Sequence, residues 1–550
     1  MFKKIGKLIG LLSITMILMV FFVFWWDSYS KKYDVTIAAE HIPEFTQVYL
    51  DFVHAYDSEM SLPIAPSALI DIDNDRVDEV FFGGGMHQDD EMYAYRDSAF
   101  VNISDVVGLP EKKFASTTLG AISADMDNNG FTDLIVGNED GLQIYFNENG
   151  KFNPMKINTP LNMKSSPAGI TVGDIDKDGD LDIFLAAYIK KEFMEGQNIF
   201  ERYDYGSTSE LYLNMGDNTF KTITESSGLK YVHNTFQGVF IDIDNDSWLD
   251  LVVVHDTGEA RTYKNNGDLT FTMKPNPLTK KFAYPMGLAV GDYNNNGLPD
   301  FMFSNVGTTV PDFMGSGDIK DKSKYNDKWM LFRNDGDFKF TDVAEHANIA
   351  NYEFSWGCTF ADMNNDGFQD LLVAENYVDF PFSKIFKLPG KLLIQKEDHT
   401  FVSTEKESGV SNPHYGITAL VSDFNTDGYL DLIWTNINGP SFAYLNNGGD
   451  NNFVQVAIAD NAEAIGAKVT VVTAKRELTE WLVTGEGLAS DQTSLLHFGL
   501  ANEQTIDKIR IQYTSGQEHE ILKPKINTII NVAKVNPSKV AAMNLKDTIN

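Results

Sequence analysis

Aspartates open seven copies of one short phrase in this chain, with carboxylate or amide side chains at its first, third, fifth and ninth positions. Six copies read DMDNNGFTD from Asp125, DIDKDGDLD from Asp174, DIDNDSWLD from Asp242, DYNNNGLPD from Asp292, DMNNDGFQD from Asp362 and DFNTDGYLD from Asp423. The seventh, DIDNDRVDEV from Asp71, lacks the turn glycine, and either Asp78 or Glu79 could close it. Oxygen donors at alternate positions around a sharp turn are what a hard cation such as calcium needs to gather six or more ligands. Asp, Asn and Gly also cluster in metal-free surface turns, where they bond to nearby backbone. Recurrence of the same spacing along the chain is what favours calcium.

The expected ligands run in register through the copies. They are Asp71, Asp73 and Asp75 in the first, and Asp125, Asp127, Asn129 and Asp133 with the main-chain carbonyl of Phe131 in the second. The third offers Asp174, Asp176, Asp178, the carbonyl of Asp180, and Asp182, and the fourth Asp242, Asp244, Asp246, the carbonyl of Trp248, and Asp250. Asp292, Asn294, Asn296, Leu298 and Asp300 serve the fifth, Asp362, Asn364, Asp366, Phe368 and Asp370 the sixth, and Asp423, Asn425, Asp427, Tyr429 and Asp431 the seventh. An EF-hand would need a glutamate at position twelve, where these copies carry Val136, Leu185, Val253, Phe303, Val373 and Trp434, so that motif is excluded. Carboxylate count ranks the loops at Asp174 and Asp242 strongest and the loop at Asp292 weakest.

An apolar run follows each loop, such as IFLAAY from Ile183 or LVVVHD from Leu251, and stretches such as GITVGD and GVFIDID precede them. Each loop therefore joins two strands of a β-hairpin. A third run ends in Asn and Gly turns, as in LYLNMGDNTF from Leu211, and the next aromatic starts a fourth strand. Four short strands per repeat predict an all-β chain, a seven-bladed β-propeller over residues 61–450, with a linear solenoid as the alternative. Residues 27–60 hold a linker and a closing strand.

These loops and their strand frame resemble the integrin-α-like FG-GAP and VCBS repeat family. FVNISDVVGL from Phe100, FKTITESSGL from Phe220 and FVSTEKESGV from Phe401 are similar to a phrase of its cartilage-acidic-protein-like branch. After residue 451 the acidic loops stop, and IGAKVTVVTA, TGEGLAS, LLHFGL and IRIQYTSG resemble the ASPIC/UnbV domain, placed here at 451–536 with a tail at 537–550. The chain departs from that pattern at Leu488, Asp491, Tyr513 and Thr514.

The formal charge of −34 argues against nucleic acid as a partner. One cysteine, Cys358, excludes an internal disulfide and a thiolate zinc cluster. Lys3, Lys4 and Lys7 form a basic end at 1–7, ahead of an uncharged run from Leu8 to Trp26, long enough to cross a bilayer as a signal anchor, or alternatively a cleaved leader. Basic residues before it and Trp25 and Trp26 after it put the body outside the cytoplasm, in the periplasm or at the cell surface.

Three insertions, at 189–209, 307–327 and 377–390, all follow the strand after a metal loop and carry Phe193, Phe200, Tyr203, Tyr205, Phe313, Tyr325, Phe380, Phe382 and Phe386. Aromatics on long loops suit stacking on sugars or peptides, and equally suit packing of the loops onto the scaffold. Asn138, Asn305, Asn376 and Asn436 recur at the same strand end, as turn residues or ligand contacts. The chain has no HExxH, GxSxG or phosphate-binding glycine loop. The expected role is thus a calcium-stabilised binding or adhesion module for a protein or glycan. The alternative is an exported enzyme, or an accessory subunit of an enzyme system in polysaccharide or secondary metabolism.

Overall fold

The computed structural model describes residues 36–532, apart from 60, 112–115, 140, 158–160, 379–386 and 460, together with Thr15, Met16 and Met19. Most of the segment from Leu8 to Trp26 therefore lies outside the described residues, as do Phe380, Phe382 and Phe386. Among the described residues, no helix is long and apolar enough to cross a membrane.

Strands dominate, and they fall into antiparallel sheets whose order follows the sequence. Six sheets span 67–102, 118–156, 165–222, 235–274, 288–342 and 355–403, each with four consecutive strands. In a seventh, Tyr415–Ser422, Asp431–Ile437 and Pro440–Asn446 are joined by Phe45–Val53 from the other end of the chain, with Phe45 opposite Asn446 and Tyr49 opposite Phe442. The leading strand of the seventh sheet, Tyr415–Ser422, returns against Ser67–Ile70 of the first.

Burial falls from the leading strand outward. Thr118–Ala124 and Ser165–Gly173 are buried at every position, whereas Phe220–Thr222, a fourth strand, is largely exposed. The leading strands carry apolar and small residues on both faces because neighbouring sheets cover both, which removes the usual alternation of inward apolar and outward polar residues. With side chains of the second strands they build one large apolar cluster that includes Phe236, Val239 and Trp356 from leading strands and Phe303 and Trp434 from second strands, and Trp481, Leu488 and Ala489 from the C-terminal part of the chain complete it. Cys358 is fully buried in Ser355–Ala361 and sits 3.7 Å from the Met302 carbonyl.

The C-terminal part forms two further sheets. Asn452–Ala457 pairs with Leu495–Ala501 and Ile529–Asn531, and Lys468–Val472 lies between Glu477–Trp481 and Lys508–Gln512, with Glu518–Leu522 beyond. Residues 484–492 leave these sheets and enter the middle of the molecule. Ser490–Asp491 adds a parallel strand to Ser67 and Ala68 of the first sheet. The Asp491 carboxylate accepts from Ser123 N at 2.8 Å, and Thr484 Oγ1 accepts from Val172 N at 3.0 Å. Ala489 N donates to Gln237 Oε1 (3.2 Å), Gly487 and Leu288 exchange backbone bonds of 2.9 and 3.0 Å, and Gln492 Oε1 accepts from Val421 N at 3.1 Å. One nine-residue segment thereby binds the leading strands of six sheets. Gly485 (φ 81°) and Gly487 (φ 92°) make the turn, and a Cβ on Gly485 would lie 2.3 Å from the Ile170 carbonyl oxygen.

Candidate functional site

Each acidic loop joins the first and second strands of its sheet, and its side chains first organise the loop itself. The opening aspartate accepts the amides of the fifth and sixth residues: Asp174 those of Asp178 (3.1 Å) and Gly179 (3.0 Å), Asp362 those of Asp366 (3.0 Å) and Gly367 (2.7 Å). The ninth residue accepts the amide of the second, as Asp182 does from Ile175 at 3.0 Å and Asp431 from Phe424 at 3.0 Å. In the first loop Glu79 takes this place, accepting from Ile72 N at 3.2 Å, while Asp78 accepts from Ser422 Oγ at 2.6 Å. Glu79 therefore closes that loop.

The sixth residue has positive φ throughout: 98° at Gly179 and 87° at Gly428, and also 70° at Ser247 and 73° at Arg76, where a side chain is disfavoured. Ser247→Gly is expected to raise the stability of the chain by about 1 kcal/mol. Urea unfolding checks this, and a variant no more stable than the parent would show that this backbone carries no strain.

The ninth aspartate also accepts from an amide at the end of the third strand, as Asp133 does from Asn147 (2.7 Å) and Asp250 from Asn265 (2.9 Å). That residue's side chain then reaches the preceding loop. Asn147 Nδ2 donates to the Ile72 carbonyl (2.8 Å), Asn265 to Ile175 (2.9 Å), Asn334 to Ile243 (3.0 Å), Gln395 to Tyr293 (2.9 Å) and Asn446 to Met363 (2.8 Å). These sheet-to-sheet ties escape a reading of the Asn-Gly turns as turns alone. Their signal is the Asn or Gln that recurs at the end of the third strand in every sheet but the first, whose third strand ends in Arg96.

The loops also touch one another. Asn74 Nδ2 donates to the Gly130 carbonyl (3.0 Å), Asn128 to Gly179 (3.2 Å), Asn295 to Gly367 (3.3 Å) and Asn365 to Gly428 (2.8 Å), and the Lys177 ammonium lies 4.2 Å from the centre of the Trp248 ring. They therefore share one face.

The carboxylates of that face are crowded and partly buried. Burial, with the like charge of neighbouring loop carboxylates, pushes Asp133, Asp182, Asp250 and Asp431 up to about 8 and Asp174, Asp242 and Asp423 to about 6. Carboxylate oxygens of Asp125, Asp127 and Asp133 lie within 4.8 Å of one another, as do those of Asp174, Asp176 and Asp182, and those of Asp71, Asp73 and Asp75. Asp176 Oδ1, Asp244 Oδ1 and Asn294 Oδ1, third residues of their loops, are buried without a hydrogen-bond partner. Crowded carboxylates with an unused inward oxygen fit a divalent cation held by oxygen ligands.

The C-terminal sheets cover part of this face. Arg476 donates to the Asp366 carbonyl (2.7 Å), Gln455 to Asp423 Oδ2 (3.1 Å) and Arg76 to Asn531 Oδ1 (2.8 Å), and His497 Nε2 lies 2.6 Å from Asn365 Oδ1. Between them and the leading strands is a cavity of about 90 Å3, lined by Glu480, Glu486, Gln492 and His497 among others. That is room for about three waters, well below the few hundred Å3 of a small-molecule site.

The insertions leave the opposite ends of the same strands. Those at 189–209 and 307–327 belong to the third and fifth sheets and meet across the fourth: Asn198 Nδ2 donates to the Met314 carbonyl (2.8 Å), Phe200 N to Asp318 Oδ1 (2.7 Å), and Lys320 pairs with Glu201 at 3.0 Å. The hydroxyls of Thr309 and Tyr377, 2.7 Å apart, join the third insertion. Of the six predicted aromatics among the described residues, four pack inward: Phe200 and Tyr205 are buried, Phe193 and Tyr325 lie against the core, and Phe200 meets Tyr284 edge to face. Tyr203 and Phe313 are each 81 % exposed, beside Met314 at 44 %. Three of the recurrent asparagines bond within the protein: Asn305 accepts from Tyr284 N (3.0 Å) and donates to the carbonyls of Asn326 and Lys328, Asn376 accepts from Val378 N (2.8 Å) and donates to the Gly416 carbonyl of the next sheet, and Asn436 donates to the Pro440 carbonyl (2.7 Å).

The family of FG-GAP-like repeats matches residues 125–185, 242–303 and 311–373, and the ASPIC and UnbV family matches 457–539. Cartilage acidic protein 1 of Homo sapiens is 24% identical over 303 residues, 50% of this chain and 40% of that protein. Its Xenopus tropicalis counterpart is 22% identical over 321 residues, 54% and 45% of the two chains. The chain thus spans less than half the length of these relatives. Among solved structures, the BP39L lectin of Burkholderia pseudomallei has a TM-score of 0.44 at 10% identity, covering 71% of this chain and 98% of that one. YCF48 bound to D1 peptide has a TM-score of 0.40 at 11% identity, covering 75% and 99%.

Proposed function

Starting from a chain that carries FG-GAP-like repeats followed by an ASPIC and UnbV domain, we propose that it is a calcium-stabilised, seven-bladed propeller displayed outside the cytoplasm that binds a protein or glycan through its insertion face. The seven sheets serve as blades, closed by Phe45–Val53 in the last, and the N-terminal apolar run holds the body at a membrane. Calcium lies in the loops on one face, where carboxylates hold it and it offsets their mutual repulsion. It has no part in chemistry.

The observation that carries this reading is the division of labour between the two faces. C-terminal residues cover part of the metal-loop face, whereas the insertions lock together by hydrogen bonds and an ion pair and leave Tyr203 and Phe313 in solvent. Large exposed aromatics on an otherwise well-packed platform suit recognition, since a rigid ring buries much area on binding at little cost in side-chain freedom. A glycan array and a crosslinking pull-down with residues 35–550 test it. Capture is expected to fall at least about tenfold for the double change Tyr203→Ser and Phe313→Ser, with no change in melting temperature. Capture that persists at parental strength would place the ligand elsewhere on the molecule.

A further inference from the structure

Among the metal loops, the one at Asp242 differs from its neighbours by a lysine. Lys264 lies on the third strand of the fourth sheet, immediately before the sheet-to-sheet residue Asn265, and its ammonium bridges two carboxylates of the loop. Nζ contacts Asp244 Oδ2 closely and lies 2.7 Å from Asp246 Oδ2. The other oxygen of Asp246 accepts the amide of Trp248 at 2.9 Å, so both oxygens of the fifth loop residue are committed. Elsewhere the residue in Lys264's place is Phe146, Leu213, Ile394 or Leu445, none of them charged. Arg333 is the other basic side chain at this position, and it pairs with Asp335 of its own turn at 2.8 Å.

The loop at Asp174 is the natural comparison, because both have carboxylates at positions one, three, five and nine. There the crowded oxygens join the first, third and ninth residues, Asp174, Asp176 and Asp182. Around Asp242 they join the first, third and fifth, Asp242, Asp244 and Asp246, the last two of which the Lys264 ammonium bridges. Among the described residues, no lysine or arginine is within ion-pair distance of Asp176 or Asp178.

We propose that Lys264 is the resident cation of the loop at Asp242, so that this loop is neutralised by the chain itself and discriminates against a divalent ion that the loop at Asp174 accepts. The inference rests on reading the phrases as metal loops. A tethered ammonium is present at a high effective concentration and avoids the translational cost of capturing a free ion, at the cost of its own rotamer freedom, and its charge repels a divalent ion a few ångströms away. Carboxylate count, which ranks the two loops as equals, is then a poor guide to occupancy.

The test is the number of calcium ions retained by the full chain, measured by native mass spectrometry and by equilibrium dialysis over a range of free calcium. Lys264→Met keeps an unbranched apolar stem, gives up the ammonium that lies 5.6 Å from the Phe338 ring centre, and leaves Asp244 Oδ1, buried and unpartnered, available. It is expected to gain one ion, or to tighten one site about tenfold or more. In the parental chain, Asp244→Asn is expected to leave the ion count unchanged, whereas Asp176→Asn lowers it by one. Loss of one ion on Asp244→Asn, or an unchanged titration for Lys264→Met, overturns the role of Lys264 alone. A parental chain that binds no calcium overturns the metal reading beneath it.

Discussion

Chelation of calcium is expected to lower the melting temperature of this chain by about ten degrees or more. A site filled at a hundred times its dissociation constant stabilises the folded state by about 2.7 kcal/mol, so even three or four filled loops supply roughly as much as the whole margin of an ordinary domain. Losing the ions also leaves Asp133, Asp182, Asp250 and Asp431 buried among like charges with nothing to offset them. Asp174→Ala is expected to reproduce part of the effect and to flatten the dependence of melting on calcium. It removes a ligand and also frees the amides of Asp178 and Gly179. Scanning calorimetry in chelator and in millimolar calcium checks both, and identical melting in the two would sink the metal assignment.

The loops and the strand frame are legible in the sequence because both are local. Each acidic loop spaces its side-chain oxygens within nine residues, and a hairpin declares itself by the apolar runs on either side. What is distant is not legible. Thr171 and Thr484 are 313 residues apart, and nothing in TGEGLAS announces that this turn binds the leading strands of six sheets. Asn147 looks like a turn residue until its amide is seen on the Ile72 carbonyl, 75 positions away. Composition likewise cannot divide the insertion aromatics between core and solvent: Phe200 and Tyr203 are three residues apart on one loop, the first buried and the second exposed. The choice between Asp78 and Glu79 was open for a related reason, since the shorter side chain is drawn off by Ser422, 344 residues along the chain.

Removing the Asp491 carboxylate is expected to cost about 2 to 5 kcal/mol, because Asp491→Ala strands the buried amides of Ser123 and Gly485, each bound at 2.8 Å, in a place water cannot reach. The segment at 484–492 ties the C-terminal sheets to the leading strands of the others, so the loss should appear as two separated unfolding transitions in place of one. Retention of a single parental transition would mean the segment merely rests in the hub. The same segment sets a pH dependence. Burial pushes Asp491 up to about 7 and Glu486, which accepts from Val290 N at 2.5 Å, up to about 8. Between the ordinary carboxylate range near 4 and those values, the folded chain keeps protons that the unfolded chain has released, so their contribution to stability is greatest below that range and declines as pH rises toward 8. Glu486→Gln keeps an acceptor for Val290 and has no proton to lose. Compared in millimolar calcium, it should match the parent near pH 5 and exceed it near pH 8.5, and an equal difference at both values would show that Glu486 titrates as an ordinary surface acid.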